Sequence, residues 1–81
     1  MTVTVHLFAV ARDLAGADCL AIELPAGSTV AELRSALAAW VPALAGLLAR
    51  SAIAVNHDFA EDARVLAASD EVAIIPPVSG G

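Results

Sequence analysis

The sequence ends with residues 70–81, DEVAIIPPVSGG, and this stretch decides the fold. Val72 to Ile75 is an uninterrupted apolar run of the length of a short buried strand. Two prolines follow, and because proline has no N–H to donate to a sheet, the strand cannot continue through them. Residues 76–81 are therefore predicted to form a tail that leaves the sheet from the end of its last strand.

Earlier segments show the alternation that is typical of half-buried strands. Apolar and polar side chains alternate over residues 2–8 and again over residues 19–24, and residues 12–18, with Gly16, are expected to connect these two strands as a hairpin. Ile53 and Val55 predict a short strand that ends at the turn former Asn56. We expect residues 57–69 to be a loop-rich crossover with one brief strand near residues 64–66.

Two helices are predicted between the second and third strands. Thr29 and Glu32 have the spacing of a capping box, in which each side chain caps the other's backbone, so a helix is expected to begin there. Pro42 ends it and can occupy the first turn of a short second helix. The expected apolar faces are Val30, Leu33, Leu37 and Trp40 on the main helix and Leu44, Leu47 and Leu48 on the short one.

These elements predict one α+β domain over residues 1–81, with a single sheet covered on one face by helices. Chain order leaves the strand order open. If the first and last strands are neighbours in the middle of the sheet, the tail emerges from a rigid central element and points in a defined direction.

Composition and charge exclude several classes of function. The net charge of −5, with no lysine, disfavours nucleic acid and favours a basic protein surface as partner. No apolar stretch reaches the roughly 20 residues of a membrane span, and nothing directs export, so a cytoplasmic protein is expected. The single cysteine, Cys19, excludes an internal disulfide, and His6 and His57 lack the companions of a metal site.

The motifs of this chain resemble those of a known family. The chain is similar to the small, sulfur-carrier subunit of molybdopterin synthases, above all in residues 70–81. The other matching motifs are Leu7-Phe8-Ala9 with Arg12-Asp13 and Gly16, the run from Leu24 to Val30, and Val55-Asn56. The resemblance implies the ubiquitin-like β-grasp fold, a mixed sheet packed on one main helix with a short second helix and a flexible Gly-Gly tail. Ser69 departs from the pattern, because the family usually has glycine before the acidic pair.

The resemblance also implies a chemical role for the tail. An E1-like adenylyltransferase would use ATP to convert Gly81 to an acyl-adenylate, and a sulfur donor system would then replace AMP to leave a thiocarboxylate. Gly80 would be the spacer that lets Gly81 enter the active site of the large, catalytic subunit, where sulfur passes to cyclic pyranopterin monophosphate. The family implies two small and two large subunits, no cofactor bound by this chain, and no catalysis by this chain alone.

Strand parity predicts where a partner would dock. Phe8 and Ile75 are opposite in phase to the core positions of their strands, so both should project from the sheet face that the helices do not cover, where Phe59 could join them. The resemblance places partner contacts at these three residues, and the start of the tail, Pro76, Pro77 and Val78, would extend the surface. The alternative is that Phe8 and Phe59 fill a second small core beneath the crossover.

Three further functions stay open from the sequence. A close alternative is a carrier that feeds thiazole synthesis or another thiocarboxylate pathway. A ubiquitin-like modifier joined to protein amines is a different class, and the absence of lysine, which compositional bias also explains, would protect such a chain from self-conjugation. The third is an interaction module with an inert tail.

Overall fold

The computed structural model describes residues 1–77, which form a five-stranded mixed sheet with helices on one face. The strands are β1 (Thr2–Leu7), β2 (Cys19–Glu23), β3 (Ala52–Val55), β4 (Asp58–Phe59) and β5 (Glu71–Ile75). The helices are α1 (Ala9–Ala15), α2 (Val30–Trp40) and α3 (Ala45–Leu48), with a 3-10 helix at Pro42–Leu44 directly before α3. This is the predicted α+β architecture.

The strand order is β2-β1-β5-β3-β4, so the last strand lies at the centre of the sheet. β5 runs parallel to β1, with Ile74 opposite Leu7, and antiparallel to β3, with Ile74 also opposite Ile53. The first and last strands are therefore neighbours in the middle of the sheet. This is the strand arrangement under which the sequence predicts a tail that leaves the sheet from a central strand.

One hydrophobic cluster lies between the sheet and the helices. It consists of alternate residues of β1, β3 and β5 together with the buried side of α2. On α2, Val30, Leu33 and Leu37 have no solvent exposure. The predicted capping box begins α2: the Thr29 N–H donates to Glu32 Oε1 at 3.1 Å, and the Glu32 N–H donates to Thr29 Oγ1 at 3.3 Å. Leu44, Leu47 and Leu48 complete the cluster from the short helices, as predicted.

The prediction for Trp40 was wrong, because this side chain is 54% exposed. Trp40 is the last residue of α2, and it lies over Ala21, Ile22 and Glu23 of β2. Since β2 is the outer strand on that side of the sheet, no element within residues 1–77 lies beyond it to bury the indole.

Three local predictions also differ from the structure. The connection between β1 and β2 contains α1, which ends at Gly16 with φ 73°, where we expected a plain hairpin loop. At the start of the expected loop-rich crossover, Asp58–Phe59 instead form β4, in a hairpin with β3. Near residues 64–66, the expected strand is reduced to one bridge between Val65 and Thr29.

Within the described part of the chain, every helix falls short of the length and hydrophobicity that crossing a bilayer requires.

Candidate functional site

The tail leaves the sheet at the carboxyl end of β5, which we call the tail mount. Ile75 pairs with Ala52 at the last register position of the β3 ladder, and Pro76 and Pro77 follow outside the strand. Because β5 is hydrogen-bonded along both edges, its end is held in place up to the first proline. Val78, Gly80 and Gly81 lie outside the described residues, so the roles predicted for them stay predictions.

The amino end of β5 is held by a set of hydrogen bonds around Asn56 and Asp70. Asn56 Nδ2 donates to Asp70 Oδ1 at 2.9 Å, and the Glu71 N–H donates to Asn56 Oδ1 at 2.9 Å. Asp70 Oδ2 accepts from the Ala67 N–H at 2.8 Å. The hydrogen bond from Ala67 and the one from Asn56 lower the pKa of Asp70 below its ordinary value of 3.8, because both stabilise the carboxylate. We call Asn56 and Asp70 the strand clamp.

Sequence reasoning missed the strand clamp. Asn56 and Asp70 are 14 residues apart, so no local pattern joins them. The available signal was the pairing of a turn-forming Asn at the end of one strand with an Asp just before another.

The turn between β3 and β4 brings Phe59 to the sheet. Asn56 and His57 have φ values of 52° and 73°, the two successive positive values that two-residue hairpins of type I′ require. This turn places Phe59 opposite Ala54, and Ala54 is opposite Ala73 of β5. Phe59 therefore lies on the sheet face that the helices leave open.

Phe8, Phe59 and Ile75 line one concave surface on the open face, together with both histidines of the chain. The cavity has a volume of about 470 Å³. Phe8 is 52% exposed and Phe59 is 78% exposed, so the alternative that they fill a second core is wrong. We call this surface the open-face patch; its lining is His6, Phe8, His57, Phe59, Glu71 and Ile75, over a floor of Ala54, Val72 and Ala73.

Phe8 is oriented by an unusual backbone turn. Ala9, the next residue, has φ 50°, in the left-handed region that costs an alanine roughly 1 kcal/mol. The turn lets the Phe8 carbonyl accept from the Ala11 N–H at 3.1 Å and thus begin α1 directly after β1. Phe8 lies at this junction of strand and helix, and its ring lines the concave surface of the open face.

The patch has the chemistry of a binding surface. Residues 1–77 contain no group of three or more histidine, cysteine or acidic side chains placed to hold a metal ion. Large exposed aromatic side chains around a concave floor are typical of surfaces that another protein covers. The open-face patch borders the point at which the tail leaves the sheet.

Comparison with known proteins identifies the family of this chain. The sequence profile of the ThiS family matches residues 5–81. The chain belongs to the ThiS family. Among the curated relatives of this ThiS-family chain are molybdopterin synthase sulfur carrier subunits. The subunit of Arabidopsis thaliana is 37% identical over 98% of this chain and 82% of its own length, and that of Chlamydomonas reinhardtii is 36% identical over 100% of both.

Solved structures share the ubiquitin-like β-grasp fold of this ThiS-family chain. SAMP1, the small archaeal modifier protein 1 of Haloferax volcanii, has a TM-score of 0.89 at 28% identity over 100% of both chains. A putative molybdopterin converting factor subunit 1 from Pyrococcus furiosus has a TM-score of 0.87 at 31% identity, over 96% of this chain and 99% of its own. A chain from the Helicobacter pylori complex of molybdopterin-converting factor subunits 1 and 2 has a TM-score of 0.73 at 26% identity over 100% of both.

Proposed function

We propose that this chain is the sulfur-carrier subunit of a molybdopterin synthase, with the sulfur carried at Gly81. The observation that carries the proposal is the structure of the tail mount. There a central strand, paired on both edges, ends directly before Pro76 and Pro77 and beside the exposed open-face patch. The family membership and the curated relatives support the same role.

The chemistry begins with the activation of Gly81. A carboxylate is a poor acyl donor, so an E1-like adenylyltransferase joins Gly81 to the AMP portion of ATP and releases pyrophosphate. A sulfur donor system then supplies a sulfide equivalent, which displaces AMP and leaves an anionic thiocarboxylate at neutral pH. ATP is bound by the activating partner, and this chain needs no cofactor of its own.

The second stage takes place in the large subunit. The thiocarboxylate sulfur attacks an oxygen-bearing carbon of cyclic pyranopterin monophosphate, and the carbon–oxygen bond there breaks as the oxygen leaves as water or with the phosphate group. Water then cleaves the acyl–sulfur bond, so that sulfur stays on the substrate and Gly81 returns as the carboxylate. A substrate phosphate requires cations or clustered N–H groups. This chain carries a net charge of −5 and no lysine, so the substrate pocket belongs to the large subunit. Two such carriers on a dimer of large subunits would form the heterotetramer, in the cytoplasm.

Docking on the large subunit uses the open-face patch. Phe8, Phe59 and Ile75 supply the apolar contacts, and Pro76, Pro77 and Val78 carry the surface into the tail. The Helicobacter pylori complex of subunits 1 and 2 supports a large-subunit partner of this kind.

Intact-mass measurement tests the carrier role directly. Incubation with the adenylating enzyme, ATP and sulfide should add about 16 Da, the exchange of one oxygen for sulfur, and fragmentation should place the gain at Gly81. A variant that lacks Gly81 is the matched control, and it should fold normally without gaining mass. An unchanged mass for the full chain, under conditions that convert a known carrier, would contradict the proposal.

A second candidate function is a protein modifier joined to target amines. The likeness to SAMP1 favours it. So does the absence of lysine, since an activated Gly81 would then meet no lysine amine in its own chain. Covalent adducts on target lysines in cells, lost when Gly81 is deleted, would support this function.

A carrier for thiazole synthesis differs from both in its acceptor. Purified thiocarboxylate offered to the large subunit with cyclic pyranopterin monophosphate should yield a dithiolene product if the proposed function is right. Transfer to a thiazole-forming system alone would favour the alternative.

A further inference from the structure

A second apolar surface lies on the helix side of the tail mount. Val10 and Leu14 of α1 are 46% and 44% exposed, although both are large hydrophobic residues. They border a groove between α1 and the short helices, and the last described residue of the chain, Pro77, borders it too. We call this the exit groove; its principal lining is Val10, Leu14, Ala43, Leu47, Arg50 and Pro77.

The exposed side chains of the exit groove form a stripe on α1. Val10 and Leu14 are four residues apart and therefore lie on the same helix face. Ala11 fills the core position of α1 with no exposure, so burial of the short helix does not require Val10 and Leu14. Leu47, 8% exposed, belongs to the hydrophobic core. Paired large apolar side chains beside a concave surface are typical of a protein contact.

The charge of the exit groove differs from that of the rest of the chain. Its described lining includes Arg50 and no acidic side chain, although the whole chain has a net charge of −5. Arg50 lines the groove, and its Nε donates to the Gly46 carbonyl in a long hydrogen bond of 3.4 Å. The open-face patch instead contains Glu71 and two histidines. The groove thus complements an apolar segment that carries a carboxylate.

The two surfaces meet at the base of the tail. Ile75 lines the open-face patch, and Pro77, two residues later, lines the exit groove. A partner that takes the tail into a narrow channel must surround its base, so it reaches both sides of this point. The exit groove is therefore continuous with the docking surface proposed above.

We propose that the exit groove is a second contact surface for the large subunit, filled by an apolar segment that places a carboxylate against Arg50. This inference rests on the proposed function, because the large subunit is the partner that receives the tail. It assigns binding roles to Leu14 and Arg50, which the sequence pattern did not indicate.

Calorimetric titration of the full-length carrier into the large subunit of the same organism tests the inference. Leu14→Gln should weaken binding about tenfold, and Arg50→Gln about fivefold, the ranges expected for a buried apolar contact and a partly shielded ion pair. Arg50→Gln should also reduce the dependence of the affinity on salt, because it removes one charge pair. Trp40→Gln is the matched control, since Trp40 is similarly exposed but lies over β2, and it should bind within about twofold of wild type.

Two results would overturn the inference, and they are distinguishable. If wild type binds while Leu14→Gln and Arg50→Gln both match it within about twofold, the groove is no contact surface and the proposed function stands. If wild type itself does not bind the large subunit, the proposed function fails and this inference fails with it. Arg50 is exposed, so Arg50→Gln decides the question even if Leu14→Gln unfolds the chain.

Discussion

Phe59 separates partner binding from folding better than Phe8, the other phenylalanine of the open-face patch. Its side chain is 78% exposed, so the fold buries only about a fifth of it. Full burial of a phenylalanine side chain contributes roughly 1.5–3 kcal/mol. Phe59→Ala should therefore reduce the free energy of unfolding by about 0.3–0.7 kcal/mol, the share of the side chain that the isolated domain already buries.

The remaining share is available to a partner. If the large subunit covers the exposed part of Phe59, Phe59→Ala should cost about 1.2–2.3 kcal/mol of binding, which is roughly a 7- to 50-fold increase in Kd. Phe8 is 52% exposed, so Phe8→Ala should divide its effect almost equally between folding and binding. The ratio of the two effects, larger for Phe59 than for Phe8, is the specific expectation.

Two measurements on each variant check this expectation. Urea denaturation gives the free energy of unfolding, and calorimetric titration with the large subunit gives Kd. Val65→Ala is the control, because Val65 is 60% exposed but lies outside the open-face patch, and it should leave Kd unchanged. A Phe59→Ala variant that binds like wild type, or one whose loss of stability exceeds its loss of binding, would refute the reasoning.

Three further predictions concern the backbone and the strand clamp. Asn56→Ala should lower the free energy of unfolding by about 2–3 kcal/mol in urea denaturation, because it removes two hydrogen bonds and leaves an alanine at a left-handed φ. Asn56→Gly loses the same hydrogen bonds without that backbone cost, so its loss should be about 1 kcal/mol smaller. Equal losses for the two variants would contradict this division. Because the folded state lowers the pKa of Asp70 below 3.8, its stabilising contribution is fully present above about pH 4 and is lost as pH falls through the folded pKa. Asp70→Asn should therefore flatten the stability profile in that acid range; an unaltered slope there would exclude the clamp as its source. Ala9→Gly should be nearly neutral and Ala9→Val should cost about 1–2 kcal/mol by thermal unfolding, since a β-branched residue at φ 50° is strained; equal melting temperatures would be the contrary result.

The sequence predicted the elements that depend on local patterns. The capping box of Thr29 and Glu32 involves residues three apart, so it could be seen in the sequence. The open-face positions of Phe8 and Ile75 follow from the two-residue period of a strand, which any correct strand assignment carries with it. The covered sheet, and the end of the last strand before the two prolines, could be predicted from such local patterns too.

What the sequence did not reveal depends on contacts between distant residues or on rare backbone angles. The helix α1 begins at Ala9 with a positive φ, and an alanine in the sequence gives no sign of that backbone angle. The hairpin β3–β4 has histidine at a turn position where glycine is usual, so its signal was absent. The strand clamp and the exit groove both arise from residues that only the folded chain brings together.

The central position of β5 also determines how the domain bears a mechanical load. A force applied at Ile75 along the axis of β5 would act across the hydrogen bonds to β1 and β3. Both ladders then resist in shear, so their bonds share the force and do not open one at a time from the end. A load on the end of β5 is therefore distributed over two strand ladders at once.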